Sequence, residues 1–276
     1  MNRVFENFNL EIPFVRKLED IASDVVIRSR VFLPTIARIC LVSTFFEDGV
    51  RLVTQFTEQC SYISNIWNQY YFLATIFIII NIAIQLSGSF LVVFRYKVEL
   101  GVYLLMASIL IQTIGYHIWS RIFILRNLAL CGSLALLLAE SKTEQNNAIA
   151  GLPSTGEKKS NQFILLGGRI LVILMFFTVI HLDSGVFYII QALLNLLLIG
   201  AVAVGYKTKL SCLILIVWLS IINFVYNGFW SSYSDSVMWD FLKYDFFQTW
   251  TIVGGLILIV SYGPGGVSID NYKKNW

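Results

Sequence analysis

Long apolar segments are the feature that most constrains how this chain can fold. A helix needs about 20 apolar residues to cross a hydrocarbon core about 30 Å thick. Seven segments reach or approach that length: residues 71–94, 100–119, 122–139, 163–182, 186–206, 210–230 and 246–262. Because lipid offers no partner for a free backbone N–H or C=O group, each segment must satisfy these groups within its own helix. The sequence therefore predicts an all-α integral membrane protein.

An eighth segment, residues 33–56, mixes apolar residues with the charged Arg38, Glu47, Asp48 and Arg51. Its uninterrupted apolar part is short, but counting it as a span makes the distribution of lysine and arginine consistent along the chain. Only 13% of the residues are charged and 57% are hydrophobic, which is unlike a soluble domain. We therefore predict about eight transmembrane helices.

Basic residues indicate which side of the membrane each connection faces. With the N-terminus in the cytosol, eight spans place most lysines and arginines on the cytosolic side, together with both termini. The first thirty residues carry too many charges for a cleavable signal peptide, so the first span is expected to direct insertion. The formal net charge of +3 reflects this one-sided basic face, and it gives no reason to expect nucleic acid as a partner.

Four motifs recur in the same order in the two halves of the chain. Tyr-Lys-x-x-Leu begins at Tyr96 and again at Tyr206. Another of the four is Arg-Ile followed at the same spacing by Phe-Phe, at Arg38 with Phe45-Phe46 and again at Arg169 with Phe176-Phe177. We expect both arginines to snorkel to head groups rather than to bind an internal carboxylate. The remaining matches are tryptophans 119 and 230 and the glycine-containing runs 132–136 and 254–258. Four helices per unit predict two parallel repeats.

The predicted units follow from this duplication, and no separate soluble domain is expected. The linker between the repeats is rich in turn residues. The units are a cytosolic N-terminal segment (1–32), a first four-helix membrane repeat (33–139), a cytosolic linker (140–162), a second four-helix membrane repeat (163–262) and a cytosolic tail (263–276).

Acidic and aromatic residues gather at the span ends that are predicted to face the lumen. An ordinary interfacial belt also explains the aromatic residues, and an i, i+4 ion pair with Arg51 also explains Glu47. Carboxylates beside aromatic rings suit capture of a peptide's free amino terminus and its apolar side chains. The predicted lumenal rim consists of Glu47, Asp48, Asp183, Asp240, Asp245, Trp67 and Trp230.

Catalytic and metal-binding signals are weak. The only histidines are His117 and His181, and they lack the cysteine or carboxylate spacing of a metal site. No nucleophile, base and orienting group form a recognisable set. The sequence therefore predicts no cofactor and no enzymatic activity.

Several strings resemble the Surfeit locus protein 4 family. The most specific is Asp-Phe-Leu-Lys-Tyr-Asp-Phe-Phe-Gln-Thr at residues 240–249, and Leu-Val-Ser-Thr-Phe-Phe-Glu-Asp-Gly at 41–49 is a second. Shorter matches lie at 126–130, 137–141, 205–210 and 263–268. The resemblance runs from about residue 33 to the last residue and is weakest in the first thirty residues and the linker.

The resemblance implies a cargo receptor of the early secretory pathway. Such a receptor binds soluble secretory proteins in the endoplasmic reticulum lumen, loads them into COPII vesicles and returns by COPI. Family cargo often presents an N-terminus of hydrophobic, proline, hydrophobic type, which is compatible with the acidic and aromatic rim. The expected partners are therefore secretory cargo, the COPII and COPI coats and membrane lipid, and a homo-oligomer stays open.

The lysine pair Lys273 and Lys274 lies fourth and third from the last residue. In a cytosolic tail this spacing resembles the dilysine signal by which coatomer retrieves membrane proteins, a short address read by a receptor. Two further positive-inside charges are the plainer interpretation. We expect residence in the endoplasmic reticulum membrane, with cycling through the intermediate compartment and early Golgi.

Two other function classes stay open from the sequence. Repeats and intramembrane charge are also typical of a small-solute transporter or lipid scramblase, which requires a continuous polar path. A membrane oxidoreductase would use His117 and His181, and a visible haem or flavin spectrum would identify it.

Overall fold

The computed structural model describes residues 13–29, 32–68, 70–117, 119, 121–148, 186–231 and 237–262. All regular structure in these residues is helical. The helices are α1 (Pro13–Ser29), α2 (Leu33–Thr54), α3 (Phe56–Ile66), α4 (Tyr71–Val93), α5 (Val98–Gly115), α6 (Arg121–Ala148), α7 (Val186–Val204), α8 (Thr208–Tyr226) and α9 (Val237–Tyr262), with a short 3₁₀ helix at Phe229–Ser231.

Five of these helices contain a stretch long and apolar enough to cross a membrane, namely α4, α5, α6, α8 and α9. The helix α2 is 22 residues long but keeps several charges inside the protein. The predicted span 163–182 lies outside the described residues. The structure therefore agrees with a multi-pass helical membrane protein, while eight spans and two complete repeats stay predictions.

The centre of the bundle is the packing of α9 against α2, the most extensive helix pair in the described residues. Both helices bury apolar side chains there, including Leu41 and Leu256. At Gly254 a Cβ atom would lie only 2.8 Å from the carbonyl oxygen of Ala37 and from the backbone nitrogen of Leu41. Close approach of two backbones is the usual reason for small residues at interfaces between membrane helices.

The two Tyr-Lys-x-x-Leu motifs form turns of the same conformation. Arg95 and Lys97 have positive φ angles of 58° and 53°, and Gly205 and Lys207 have 73° and 44°. In each turn the tyrosine N–H donates to a carbonyl five residues earlier, at 3.0 Å in the first turn and 2.9 Å in the second. The two turns, α4 to α5 and α7 to α8, therefore share a backbone conformation as well as a sequence motif, while the duplication as a whole stays a prediction.

A buried ion pair joins α2 to α6. Arg38 Nε donates to Glu140 Oε2 at 3.0 Å, and Arg38 Nη2 donates to Glu140 Oε1. Their side chains are 2% and 1% exposed. The prediction that Arg38 snorkels to head groups is therefore wrong, because a carboxylate inside the bundle neutralises the guanidinium. Its repeat equivalent Arg169 lies outside the described residues.

Candidate ligand-binding cavity

A cavity of about 570 Å³ opens at one end of the bundle. At this end α2, α5 and α8 finish while α4, α6 and α9 begin, and we call it the predicted lumenal end. The volume is within the range of about 300–1,000 Å³ that is usual for small-molecule sites. The lining residues are Thr44, Phe45, Asp48, Arg51, Gln55, Glu58, Gln59, Tyr62, Gln85, Ile109, Gln112, Thr113, Tyr116, Phe123, Arg126, Asn127, Leu130, Asp240, Phe241 and Tyr244.

The last two turns of α2 contribute an acidic and a basic side chain that form an ion pair with each other. Arg51 Nη2 donates to Asp48 Oδ1, three residues earlier on the same face of the helix. The other carboxylate oxygen of Asp48 accepts hydrogen bonds from Gln85 Nε2 on α4 and Gln112 Nε2 on α5, both at 2.7 Å. Asp48 is thus neutralised and bonded on both oxygens, and it fixes the positions of three helices around the cavity.

The carboxylate of Asp240, in the first turn of α9, is bonded on one side only. Its Oδ2 atom accepts a hydrogen bond from Gln55 Nε2 at 2.8 Å. Its Oδ1 atom is buried and has no hydrogen-bond partner in the part of the chain that the structure describes. Burial of an unpaired carboxylate oxygen is costly unless a ligand or water satisfies it. Among the acids of the lining, Asp240 is therefore the one with a buried carboxylate oxygen that still lacks a donor in the described residues.

Two further charged residues of the lining differ in burial. Arg126 on α6 is only 7% exposed, and its Nη1 atom lies 3.6 Å from Asp245 Oδ1 on α9. Glu58 on α3 is exposed. The lining as a whole carries three carboxylates and two guanidinium groups. Since Asp48 and Asp245 neutralise the two arginines, the remaining charge of the lining is negative.

Aromatic rings form much of the apolar wall. The rings of Tyr62 and Tyr116 lie 6.1 Å apart between centroids, and Tyr116 OH donates to Gln59 Oε1 at 3.0 Å. Phe45, Phe123, Phe241 and Tyr244 complete the wall. Aromatic faces beside a carboxylate favour a cation with apolar groups attached.

The structure brings two residues of the predicted lumenal rim, Asp48 and Asp240, into the cavity lining. Glu47 faces α9, where its Oε1 atom lies 3.5 Å from Lys243 Nζ. Arg51 donates its hydrogen bond to Asp48 rather than to Glu47, but its positive charge still attracts the Glu47 carboxylate, so the alternative of a local Glu47–Arg51 pair is retained in part. Asp245 lies behind the lining as the partner of Arg126.

The two tryptophans of the predicted rim do not line the cavity. Trp67 Nε1 donates to the carbonyl oxygen of Gly115 at 3.0 Å and ties the loop after α3 to the end of α5. Trp230 is 57% exposed and packs against Phe224, Phe229 and Phe246. Asp183, Lys273 and Lys274 lie outside the described residues.

The sequence analysis missed several polar residues that the structure places in the lining. Gln85, Gln112 and Arg126 lie within apolar helices, where hydropathy averages hide them. Amide side chains inside spans usually face the protein interior, since hydrocarbon leaves them unsatisfied. Applying that rule to each predicted span would have identified these polar residues from the sequence.

His117 follows α5 with a φ angle of 52°, and it does not line the cavity. His181 lies outside the described residues. In the described ranges, no group of three or more histidine, cysteine or acidic side chains is arranged to hold a metal ion.

Helices that are long and apolar enough to cross a membrane, packed around a polar, aromatic-walled cavity, define a multi-pass helical membrane protein with a chamber at one end. Comparison with known proteins is more specific. The SURF4 family model matches residues 13–276. The chain belongs to the SURF4 family, as the motifs of the sequence had indicated.

Relatives from three organisms extend this result. The Surfeit locus protein 4 homolog of Drosophila melanogaster is 47% identical, covering 97% of this chain and 100% of that protein. The homolog of the same name from Schizosaccharomyces pombe is 35% identical, covering 88% of this chain and 82% of that protein. The ER-derived vesicles protein ERV29 of Saccharomyces cerevisiae is 31% identical, covering 95% of this chain and 84% of that protein. No solved structure matches the chain.

Proposed function

We propose that this protein is a cargo receptor that binds soluble secretory proteins in the endoplasmic reticulum lumen and packages them into COPII vesicles. The yeast relative is named for vesicles derived from the endoplasmic reticulum. This supports a role in export from that compartment. Family membership and the names of the relatives suggest trafficking rather than catalysis.

The cavity is the proposed binding site for the free N-terminus of the cargo. The observation that carries this proposal is the buried Oδ1 atom of Asp240, which has no hydrogen-bond partner in the described residues. An N-terminal ammonium group provides a charge-assisted donor for this oxygen. The aromatic wall accommodates the hydrophobic, proline, hydrophobic side chains expected of the cargo. Asp183 keeps its proposed place on the rim around this site, while Glu47 and Asp245 support the site through their ion pairs with Lys243 and Arg126.

A transporter or scramblase is less well supported by the packing of the bundle. Beyond the cavity, α2 and α9 pack closely through buried apolar side chains, among them Leu41 and Leu256, and their few polar contacts, such as the Thr44–Thr251 hydroxyl pair at 2.7 Å, are bonded within the interface. A transported solute needs a continuous polar path. Packing of this kind favours a chamber that opens to one side and retains its ligand until release.

Export of a soluble cargo in cells that contain only the Asp240→Asn variant tests the proposal. We expect slower export with the receptor at its normal location, because the substitution removes the charge and keeps the shape. Asp24→Asn is the matched control, since Asp24 is exposed on α1, and Glu19 of the same helix bonds to Lys207 before the start of α8, at the end of the bundle opposite to the cavity. Cargo export at the normal rate in the Asp240 variant would count against the site.

The return of the receptor is a separate part of the proposal. Lys273 and Lys274 would act as a cytosolic dilysine signal for COPI, which requires the proposed cytosolic C-terminus. The receptor would then cycle between the endoplasmic reticulum, the intermediate compartment and the early Golgi.

A further inference from the structure

The two arginines of the cavity each keep one nitrogen without a partner. Arg51 uses Nη2 to bond Asp48, and Arg126 directs Nη1 toward Asp245. The Nε atom of each guanidinium is buried and makes no hydrogen bond to any described residue. Both side chains line the cavity. The residues of the lining therefore include two charged N–H groups, and the carboxylate oxygen of Asp240, that lack partners in the described part of the chain.

We propose that Arg51 and Arg126 form a subsite for the main-chain carbonyl oxygen of the ligand's first residue. This inference rests on the proposed function of the same cavity and specifies how the ligand is recognised. The first residue of a peptide carries an ammonium donor and a carbonyl acceptor on neighbouring atoms. Asp240 takes the donor, and the arginine Nε–H groups take the acceptor.

The pairing of each arginine with an acid makes such a subsite effective. A guanidinium is planar and presents its N–H groups in a fixed fork. An acid bound at one edge of the group therefore fixes the direction of the N–H groups at its other edge. Asp48 is itself held by Gln85 and Gln112. Donors that are oriented before binding lose little entropy when the ligand arrives.

A second acceptor in the cavity fits the same ligand. The Oε1 atom of Gln85 is buried and unpartnered among the described residues, because Gln85 uses its Nε2 atom to bond Asp48. An ammonium group has three N–H bonds, and it can donate to Asp240 and to this amide oxygen together. The cavity thus has acceptors and donors in the combination that a peptide N-terminus requires.

The subsite has a consequence for specificity. A lysine side chain presents an ammonium group without a neighbouring carbonyl oxygen, so it would satisfy Asp240 and leave both arginine Nε–H groups unpaired. Sites that hold buried polar groups discriminate strongly against ligands that leave them unpaired. The cavity is therefore expected to select chain ends over internal lysines.

Peptide binding to the purified full-length chain tests this inference. The parent ligand is a peptide that begins Ile-Pro-Val and carries a fluorophore at its far end. In a second peptide, a trans alkene replaces the first peptide bond and removes only the carbonyl oxygen and the amide character. A third peptide is N-acetylated and contains one internal lysine. Fluorescence anisotropy gives the dissociation constant of each.

We expect the alkene peptide to bind at least about tenfold more weakly than the parent, as is typical for loss of a hydrogen bond to a charged group. The acetylated peptide should bind more weakly still. In the double variant Arg126→Gln with Asp245→Asn, which keeps the buried pair neutral, the difference between parent and alkene should shrink. Arg28→Gln, an exposed position on α1, should keep the full difference.

Equal binding of parent and alkene peptides to the unmodified protein would overturn the carbonyl subsite and leave the proposed receptor function standing. Failure of the parent peptide to bind would overturn both. The comparison of ligands on the unmodified protein needs no variant, so it stays decisive even where the double variant fails to fold.

Discussion

Replacing Asp240 by asparagine removes one negative charge from the cavity and changes little else. The Oδ1 atom that lacks a partner becomes part of a neutral amide, and Gln55 can still donate to the amide oxygen, as it does to Asp240 Oδ2 at 2.8 Å. The fold should therefore be kept. What is lost is the charge-assisted hydrogen bond to the ammonium group of the ligand.

The size of the loss follows from the burial of Asp240. An exposed ion pair contributes about 0–1 kcal/mol, and a hydrogen bond to a charged group inside a protein contributes about 1.5–3 kcal/mol. The Asp240 side chain is partly buried and its Oδ1 atom is fully buried. We therefore expect a loss of about 1.5 kcal/mol, which weakens binding by roughly tenfold.

The assay is anisotropy of the labelled Ile-Pro-Val peptide with the unmodified protein, Asp240→Asn and the control Asp24→Asn, purified in the same way. Equal thermal stability of the three proteins would show that the fold is intact. Binding by Asp240→Asn within twofold of the unmodified protein would refute the assignment of Asp240 as the amine acceptor.

Two further predictions concern the end of the bundle and the tail that are predicted to face the cytosol. Glu140→Gln should lower the free energy of unfolding by about 3–5 kcal/mol, because it removes the carboxylate that neutralises the buried guanidinium of Arg38. In thermal denaturation, the double variant Arg38→Met with Glu140→Met should recover most of the lost stability. Equal stability of the single and double variants would contradict this prediction. Changing Lys273 and Lys274 to serine should move the protein toward the Golgi or cell surface by microscopy, and unchanged residence would restore the plainer interpretation of a basic tail.

Helices were predictable from the sequence where lipid-facing residues dominate. The apolar segment 71–94 corresponds to α4, which covers Tyr71–Val93. The segment 246–262 corresponds to α9, but that helix begins at Val237. Its first turns contain Asp240, Lys243 and Asp245, which lower the hydropathy although the structure surrounds them with protein. A hydropathy average identifies segments that face lipid. It misses the part of a helix whose charged residues face the protein interior.

The types of residue in the site could be predicted from the sequence, but which acid pairs with which base could not. Charged residues near the span ends could be identified from the sequence, because only 13% of the residues in this chain are charged. Which acid meets which base depends on the rotation of each helix about its axis. Glu47 and Asp48 are neighbours in sequence and lie about 100° apart around α2. One therefore faces Lys243 and the other Arg51.

Crosslinking from inside the cavity is the most direct test of the claim that cargo binds there by its N-terminus. A photoreactive phenylalanine analogue at Phe241, which lines the cavity, should crosslink a soluble cargo in endoplasmic reticulum membranes. The same analogue at Phe72, which is 76% exposed at the predicted lumenal end, should not. The account predicts that blocking the cargo's amino terminus abolishes the crosslink at Phe241. Equal crosslinking at both positions, or a crosslink that survives the block, would contradict it.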